Sequence, residues 1–177
     1  MAKAVFCIAT TEAQVTAIVA QLKAADFSSN DISILLPDKT GTRDFAHEQH
    51  TKAPEGAATG AGAGGVLGGA FGWLVGIGAL AIPGLGPFIA AGPLMMALSG
   101  AAAGAALGGV TGAFIGLGIP EYEAKRYEGK IKEGNILISV HAHDSSARDF
   151  AKAIFEHAGA EDISYTEEAG VAKEARA

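Results

Sequence analysis

The sequence predicts an α+β fold made of two copies of a strand–helix–strand unit, with a long charge-free stretch inserted between them. Three observations predict it. Short β-branched runs alternate with amphipathic helical patterns at both ends of the chain, and the order of these elements is the same at each end. Between them, residues 56–120 contain no Asp, Glu, Lys, Arg or His. We therefore expect two polar arms joined through an apolar insertion.

The N-terminal arm predicts the order strand, helix, strand. Residues 5–9 are a short β-branched and aromatic run, which is typical of a strand. Residues 11–22 begin with a capping box and continue with apolar residues at the i, i+3, i+4, i+7 spacing of an amphipathic helix. Residues 31–36 then predict a second strand, which ends before Pro37.

The C-terminal arm repeats that order. Residues 136–140 predict a strand, and residues 144–146 offer N-caps for a helix. The apolar face of that helix comprises Phe150, Ala151, Ile154, Phe155 and Ala158. After the helix, residues 162–165 predict a second strand, because they repeat the Asp-Ile-Ser of residues 31–33 at the same place after a helix. Two matching units predict a ferredoxin-like βαββαβ sandwich built from residues 1–40 and 131–167, with an open sheet that can pair with other copies.

Glycine recurs every four residues in two rows of the charge-free stretch, which is a helical period. The rows comprise Gly56, Gly60, Gly64, Gly68, Gly72 and Gly76, then Gly100, Gly104, Gly108, Gly112 and Gly116. Each glycine in a helix interior costs about 1 kcal/mol relative to alanine, so the spacing needs a physical reason. We expect close contact between two helix backbones, because small residues four apart let helices approach each other.

The two rows predict an antiparallel glycine-zipper helical hairpin over residues 56–119. Its helices would occupy residues 57–80 and 94–117. The turn between them would contain the helix breakers Pro83, Gly84, Gly86 and Pro87. Folding back at this turn would place the two glycine rows side by side.

Two environments remain open for this hairpin, a bilayer and the interior of an assembly. Each helix would rise about 36 Å at 1.5 Å per residue, against a hydrocarbon core of about 30 Å. Positive residues flank the stretch at Lys52 and within residues 125–132. A bilayer insertion would therefore leave both arms on the cytoplasmic face of the inner membrane, with membrane lipid as a partner. In the alternative, a cytoplasmic soluble assembly buries the hairpins of several copies inside.

The remaining segments and the composition set further limits. Residues 41–55 and 120–130 are predicted to be connectors, the second of which contains a short helix, and residues 168–177 are predicted to be a tail. The formal net charge is −6 and no block of Lys or Arg occurs, so no nucleic-acid partner is expected. The single cysteine, Cys7, excludes an internal disulfide and is expected to be a small core residue.

Four histidines are the candidate metal ligands. His141 and His143 alternate at the end of a strand, so both side chains are expected on one face. His47 and His50 lie three residues apart in the first connector. Two imidazoles at such spacings can begin a metal site. No nucleophile elbow or comparable catalytic motif occurs, so the sequence predicts neither enzyme activity nor a cofactor.

Several segments carry a resemblance to a known family. They are the opening strand and helix, residues 31–33, the Phe-Ala-His-Glu of residues 45–48 before the glycine rows, and residues 118–124 after them. In these segments the chain resembles the bacterial general stress (heat-induced stress) protein family, many of whose members carry a glycine-zipper membrane insertion. The resemblance covers nearly the whole chain. It implies the fold described above and a stress-associated role, and it implies no particular activity.

These observations together predict a non-enzymatic, stress-associated structural protein that is membrane-anchored or self-assembling. It would form homo-oligomers through its glycine-zipper hairpin. Two alternatives stay open. The protein is a ligand- or metal-binding module, or an accessory subunit of a membrane complex, that the hairpin localises; or it is the soluble homo-oligomer that buries its hairpins.

Overall fold

The fold has six strands and four helices in the part of the chain that the computed structural model describes, which is residues 3–37, 77–82, 86–92, 95 and 109–167. The strands are β1 (Lys3–Ala9), β2 (Ile32–Pro37), β3 (Ile77–Ile82), β4 (Gly86–Ala91), β5 (Ile136–Ala142) and β6 (Glu161–Glu167). The helices are α1 (Glu12–Ala24), α2 (Gly109–Gly116), α3 (Glu121–Lys132) and α4 (Ser145–His157).

All six strands form one antiparallel sheet in the order β3-β4-β2-β5-β1-β6. The predicted α+β class is confirmed, and each of the four strands predicted in the arms is present. In the centre of the sheet, β5 pairs with β1 on one side and with β2 on the other. The two strands at the edges of the described sheet are β3 and β6.

One face of the sheet is covered by α1 and α4. Alternate residues of the three central strands face these helices, and they are Val5, Cys7, Ala9, Ile32, Ile34, Leu36, Ile136, Ile138 and Val140. The helices contribute Val15, Ile18, Val19, Leu22, Ala151, Ile154 and Phe155. This cluster is the core that the amphipathic helical patterns of the two arms predict.

The opposite face of the sheet is covered by α2 and α3. Phe6 of β1 faces this second layer, and its ring centroid lies 6.1 Å from that of Tyr127 in α3. The ring of Phe114 in α2 lies 6.0 Å from the same tyrosine ring. The central strands are therefore apolar on both faces. Burial on both faces explains why these strands are nearly continuous apolar runs.

Two strands lie inside the range that the sequence predicted to be a helical hairpin. Ile77–Ile82 is β3, so the prediction of a helix over residues 57–80 is wrong at its C-terminal end. The physical reason is the edge of β2, whose backbone groups would be unpaired without a neighbouring strand. β4 supplies that neighbour from Ile34↔Ala91 to Pro37↔Phe88, and β3 pairs with β4.

The chain reverses where the helix breakers predicted, but it does so between strands. Ile82 pairs with Gly86, so the reversal lies at residues 83–85. Gly86 and Pro87 open β4, and Pro83 and Gly84 lie outside the described residues. α2 agrees with the predicted second helix over the part of it that is described. Among the described residues, no helix is both long enough and apolar enough to cross a membrane.

Two further expectations need correction. The predicted connector at residues 120–130 does contain a helix, but α3 buries Ala124, Tyr127 and Ile131 against the sheet and is part of the core. Phe150, predicted to face the core, is 54% exposed. It lies at the margin of the apolar face of α4, because successive helical residues turn by about 100° and the buried positions centre on Ala151 and Phe155.

The helices begin where side chains cap them. Thr11 accepts a hydrogen bond from the backbone N–H of Gln14 at 3.1 Å, and Asp144 accepts one from the N–H of Ala147 at 2.7 Å. The amide group of Gln14 also donates to the carbonyl oxygen of Ala158 at 2.9 Å. This last bond joins the start of α1 to the end of α4 and fixes their relative position over the sheet.

Candidate functional site

The outer face of α2 carries the described part of the glycine rows. Val110, Ala113 and Phe114 point into the core, whereas Gly112, Ile115 and Gly116 lie on the other side of the helix at relative positions i, i+3 and i+4. Ile115 is 45% exposed. No atom of the described structure lies within 4 Å of the place that a Cβ would occupy at Gly112 or Gly116. This face of the helix is apolar, and none of the residues that the structure describes covers it at Gly112 or Gly116.

Polar contacts with α3 hold α2 in this orientation. The hydroxyl of Thr111 donates to a carboxylate oxygen of Glu128, and the other oxygen of Glu128 lies 2.6 Å from the ammonium nitrogen of Lys132. The hydrogen bond with Lys132 and, to a smaller extent, that with Thr111 lower the pKa of Glu128 below its usual value. The glycine-bearing face therefore points away from the sheet on a helix that is fixed on its inner side.

His141 and His143 lie together at the end of β5. Their ring centroids are 5.1 Å apart in an edge-to-face arrangement. His143 Nε2 lies 3.3 Å from a carboxylate oxygen of Asp31. The backbone N–H of His141 donates to the backbone carbonyl oxygen of Asp31 at 2.7 Å. Within the described ranges, no group of three or more His, Cys, Asp or Glu side chains is arranged to hold a metal ion. Metal binding by this pair stays a prediction.

A second polar region lies between α3 and the sheet. The phenol of Tyr127 donates to the carbonyl oxygen of Asp162 at 2.9 Å and contacts the hydroxyl of Ser164. Arg126 and Lys130 of the same helix form ion pairs with Asp162 and Glu161 at 3.0 and 2.9 Å. Together these contacts lay α3 along β6, with its C-terminal end toward the start of the strand.

Burial raises the pKa of the Tyr127 phenol well above its usual range. The folded state therefore retains this proton at pH values where the unfolded chain loses it, so folding stability falls as pH rises above the ordinary tyrosine pKa of about 10. Tyr127→Phe removes this loss, although it costs about 1–3 kcal/mol at neutral pH because the partners of the phenol lose a hydrogen bond. Urea unfolding of both proteins at pH 7.5 and pH 11 checks this: their difference in stability should shrink at the higher pH, and a constant difference would contradict it.

Two buried atoms in this region have no hydrogen-bond partner in the described structure. They are a carboxylate oxygen of Glu123 and the hydroxyl oxygen of Thr166. Reasoning from the sequence missed both residues. The sequence offers one signal, which is spacing. Glu123 lies one helical turn before Tyr127 and Thr166 one strand period after Ser164, so each shares a face with that residue.

Cys7 is buried within the core that α1 and α4 cover, as expected. Burial raises the pKa of its thiol well above the usual value. A thiol reacts as its thiolate, so this group is an inert core residue in the folded protein.

Most of the predicted packing residues lie outside the described part of the chain. These are Gly56, Gly60, Gly64, Gly68, Gly72, Gly76, Gly100, Gly104 and Gly108, and the candidate ligands His47 and His50 lie outside it as well. The structure brings His141 and His143 together and places Gly112 and Gly116 on one face of α2.

Comparison with known proteins adds no relative. No protein-family model matches the chain, and searches of the curated proteins and of the solved structures find no match.

Proposed function

We propose that this is a non-enzymatic structural protein that assembles with copies of itself through its glycine rows. One observation carries the proposal: no described atom covers the glycine face of α2 at Gly112 or Gly116, and Ile115 on the same face is 45% exposed. Glycine costs about 1 kcal/mol relative to alanine at each interior helical position. Close approach of a second backbone would offset that cost, because two helices without intervening side chains gain van der Waals contact along their length.

The frame that presents this face is, in our proposal, a ferredoxin-like sandwich. The order β2-β5-β1-β6, with α1 and α4 packed on one face, supports it, because it follows from two strand–helix–strand units that pair in the middle of the sheet. The glycine-rich stretch would then be an insertion between the second and third strands of the sandwich. Three described elements of this stretch, β3, β4 and α2, pack with the strands and helices of the frame.

The connections of the sheet favour self-assembly and disfavour a membrane-spanning hairpin. β2 and β3 belong to one sheet, so they lie on the same side of any bilayer. If residues 38–76 crossed a bilayer between them, the chain would have to cross that bilayer a second time to return. One crossing takes about 20 apolar residues. Between β2 and β3, the charge-free residues 56–76 are long enough for one crossing and too short for two. Between β4 and α2, residues 96–108 are too few for even one crossing. We therefore favour the soluble assembly, in which copies of this chain cover one another's glycine faces.

The test is a change that blocks close approach but leaves the monomer intact. Gly112→Leu combined with Gly116→Leu should abolish assembly, because a leucine at either position holds a second backbone away. The fold should persist, because a Cβ there meets no described atom within 4 Å. Light scattering during size-exclusion chromatography measures the particle mass, and far-UV circular dichroism measures the fold.

Gly129→Leu is the matched control. Gly129 lies on α3, and an added Cβ there also meets no described atom within 4 Å, but it belongs to neither glycine row. This variant should keep the mass of the wild-type particle. A double variant at Gly112 and Gly116 that keeps that mass, or a wild-type protein that is monomeric at micromolar concentration, would refute the proposal.

Membrane association and a stress role are tested separately. Native protein that pellets with membranes, and that is released by detergent, would favour the anchored alternative, whereas a large soluble particle would favour assembly. The stress-associated role that the family resemblance implies predicts a rise in protein level after heat shock, which quantitative immunoblotting measures.

A further inference from the structure

Two side chains on facing elements, Glu123 of α3 and Thr166 of β6, each have a buried oxygen without a hydrogen-bond partner in the described structure. Thr166 is 6% exposed, and its hydroxyl oxygen has no hydrogen-bond partner in the described structure. One carboxylate oxygen of Glu123 is also buried and without a partner there. Buried polar atoms are nearly always hydrogen-bonded in proteins. Two exceptions on facing elements indicate that something else completes the site.

The register of the sheet determines where Thr166 points. Ala4 of β1 pairs with Thr166 of β6 on one side and with His141 of β5 on the other. Residues that are directly opposite in an antiparallel pair share a face of the sheet. Since Ala4 belongs to the core that α2 and α3 cover, Thr166 faces α3. The row across the three strands is His141, Ala4 and Thr166. Its middle residue, Ala4, has the shortest side chain of the three.

The direction of α3 brings Glu123 over the same place. The contacts of Lys130 with Glu161 and of Tyr127 with Ser164 show that α3 runs antiparallel to β6. Moving one turn back along the helix from Tyr127 reaches Glu123, and moving one strand period forward from Ser164 reaches Thr166. These two steps have similar lengths, about 6 Å along the helix and about 7 Å along the strand. These steps place Glu123 of α3 and Thr166 of β6 in the same layer, on the face of the sheet that Ala4 occupies.

The chemistry of the two groups selects the ligand. Glu121 and Glu128, the other carboxylates on this part of α3, pair with Lys125 and Lys132 at 2.6 Å, whereas no ion pair occupies the buried oxygen of Glu123 in the described structure. A carboxylate oxygen accepts hydrogen bonds, and a hydroxyl oxygen can accept as well as donate, whereas an ammonium group has three donors and no acceptor. We propose that Glu123 and Thr166 bind the primary ammonium group of a small amine.

Methylammonium chloride is the probe, added to the full chain at constant ionic strength. We expect a saturable shift of the Thr166 methyl resonance and a rise in melting temperature. Tetramethylammonium chloride, which has the same charge but no N–H donor, should produce neither effect. Glu123→Gln should weaken methylammonium binding by about tenfold or more, because it removes a charge-assisted hydrogen bond.

Thr166→Val and Glu121→Gln complete the test. Thr166→Val keeps the shape of the side chain and removes the hydroxyl, so methylammonium binding should weaken, by about three- to tenfold. Glu121→Gln makes the same charge change as Glu123→Gln on the exposed side of the same helix and should leave binding unchanged.

Three results would overturn the proposal. The first is the absence of any saturable response to methylammonium in a folded wild-type protein, which would mean that a bound water alone completes the site. The second is an equal response to tetramethylammonium, and the third is an equal loss of binding in Glu121→Gln. The proposal is independent of the glycine face, so the Gly112→Leu, Gly116→Leu protein should bind methylammonium as the wild type does.

Discussion

Gly92→Ala is expected to lower the free energy of unfolding by about 3 kcal/mol or more, the largest effect of a single added methyl group that the described structure suggests. Gly92 follows β4 with φ at +91°, a conformation that residues with a side chain rarely adopt. An added Cβ would overlap the carbonyl oxygen of Ile32 and would lie 2.7 Å from the Cα of Ser33. Both atoms belong to the backbone of a buried strand, so neither can move without disturbing the sheet.

Urea unfolding followed by far-UV circular dichroism measures this effect, and Gly129→Ala is its control. Gly129 lies within α3, and no described atom is near the position of its Cβ. Alanine there should raise stability by about 1 kcal/mol, because it improves helix propensity. The same chemical change is therefore expected to have opposite signs at the two positions. A loss below about 1 kcal/mol at Gly92 would show that β4 does not lie against β2 as described.

Phe114→Ala is expected to lower the free energy of unfolding by about 3–5 kcal/mol. Phe114 is fully buried in the layer formed by α2 and α3, with its ring edge-to-face against Tyr127. Truncation would remove this contact and leave a cavity between the second layer and the sheet. Chemical denaturation should show a single transition at lower urea concentration, because the sheet supplies one wall of both cores.

Ile115→Ala is the matched control for this prediction. Ile115 is the next residue along α2 but is 45% exposed on the glycine face. Its truncation in the monomer should cost less than about 1 kcal/mol, since surface substitutions have small effects. If the two variants were equally stable, α2 would not be packed on the sheet through Phe114. A second, separate transition in Phe114→Ala would show that the two layers fold independently.

Packing on the second face gives the proposed assembly its geometry. Because Val110, Ala113 and Phe114 commit one side of α2 to the core, the glycines on the other side are held outward. A helix free to rotate would bury its apolar side chains first and present no fixed face. The cost of truncating Phe114 and the loss of assembly on enlarging Gly112 and Gly116 thus probe opposite sides of one short helix.

Reasoning from the sequence located the elements of both arms. Strand alternation, capping residues and helical spacing are local signals, so β1, α1, β2, β5, α4 and β6 were predictable within a few residues. Thr11 and Asp144 cap their helices as predicted. The short helix after the charge-free stretch was predicted too, but its packing against the sheet was not. That packing depends on Tyr127 meeting Phe6 and Phe114, which are distant in the sequence.

The sequence by itself determined the two repeated units, the position of the chain reversal and the spacing of the glycines, because each follows from neighbouring residues. Only the tertiary structure decided that residues 77–91 extend the sheet and that α2 turns its glycines outward. Isoleucine, alanine and glycine are compatible with a buried strand as well as with a packed helix. The edge of β2 supplies the backbone partners that decide between them, and no local pattern records which edge lies within reach.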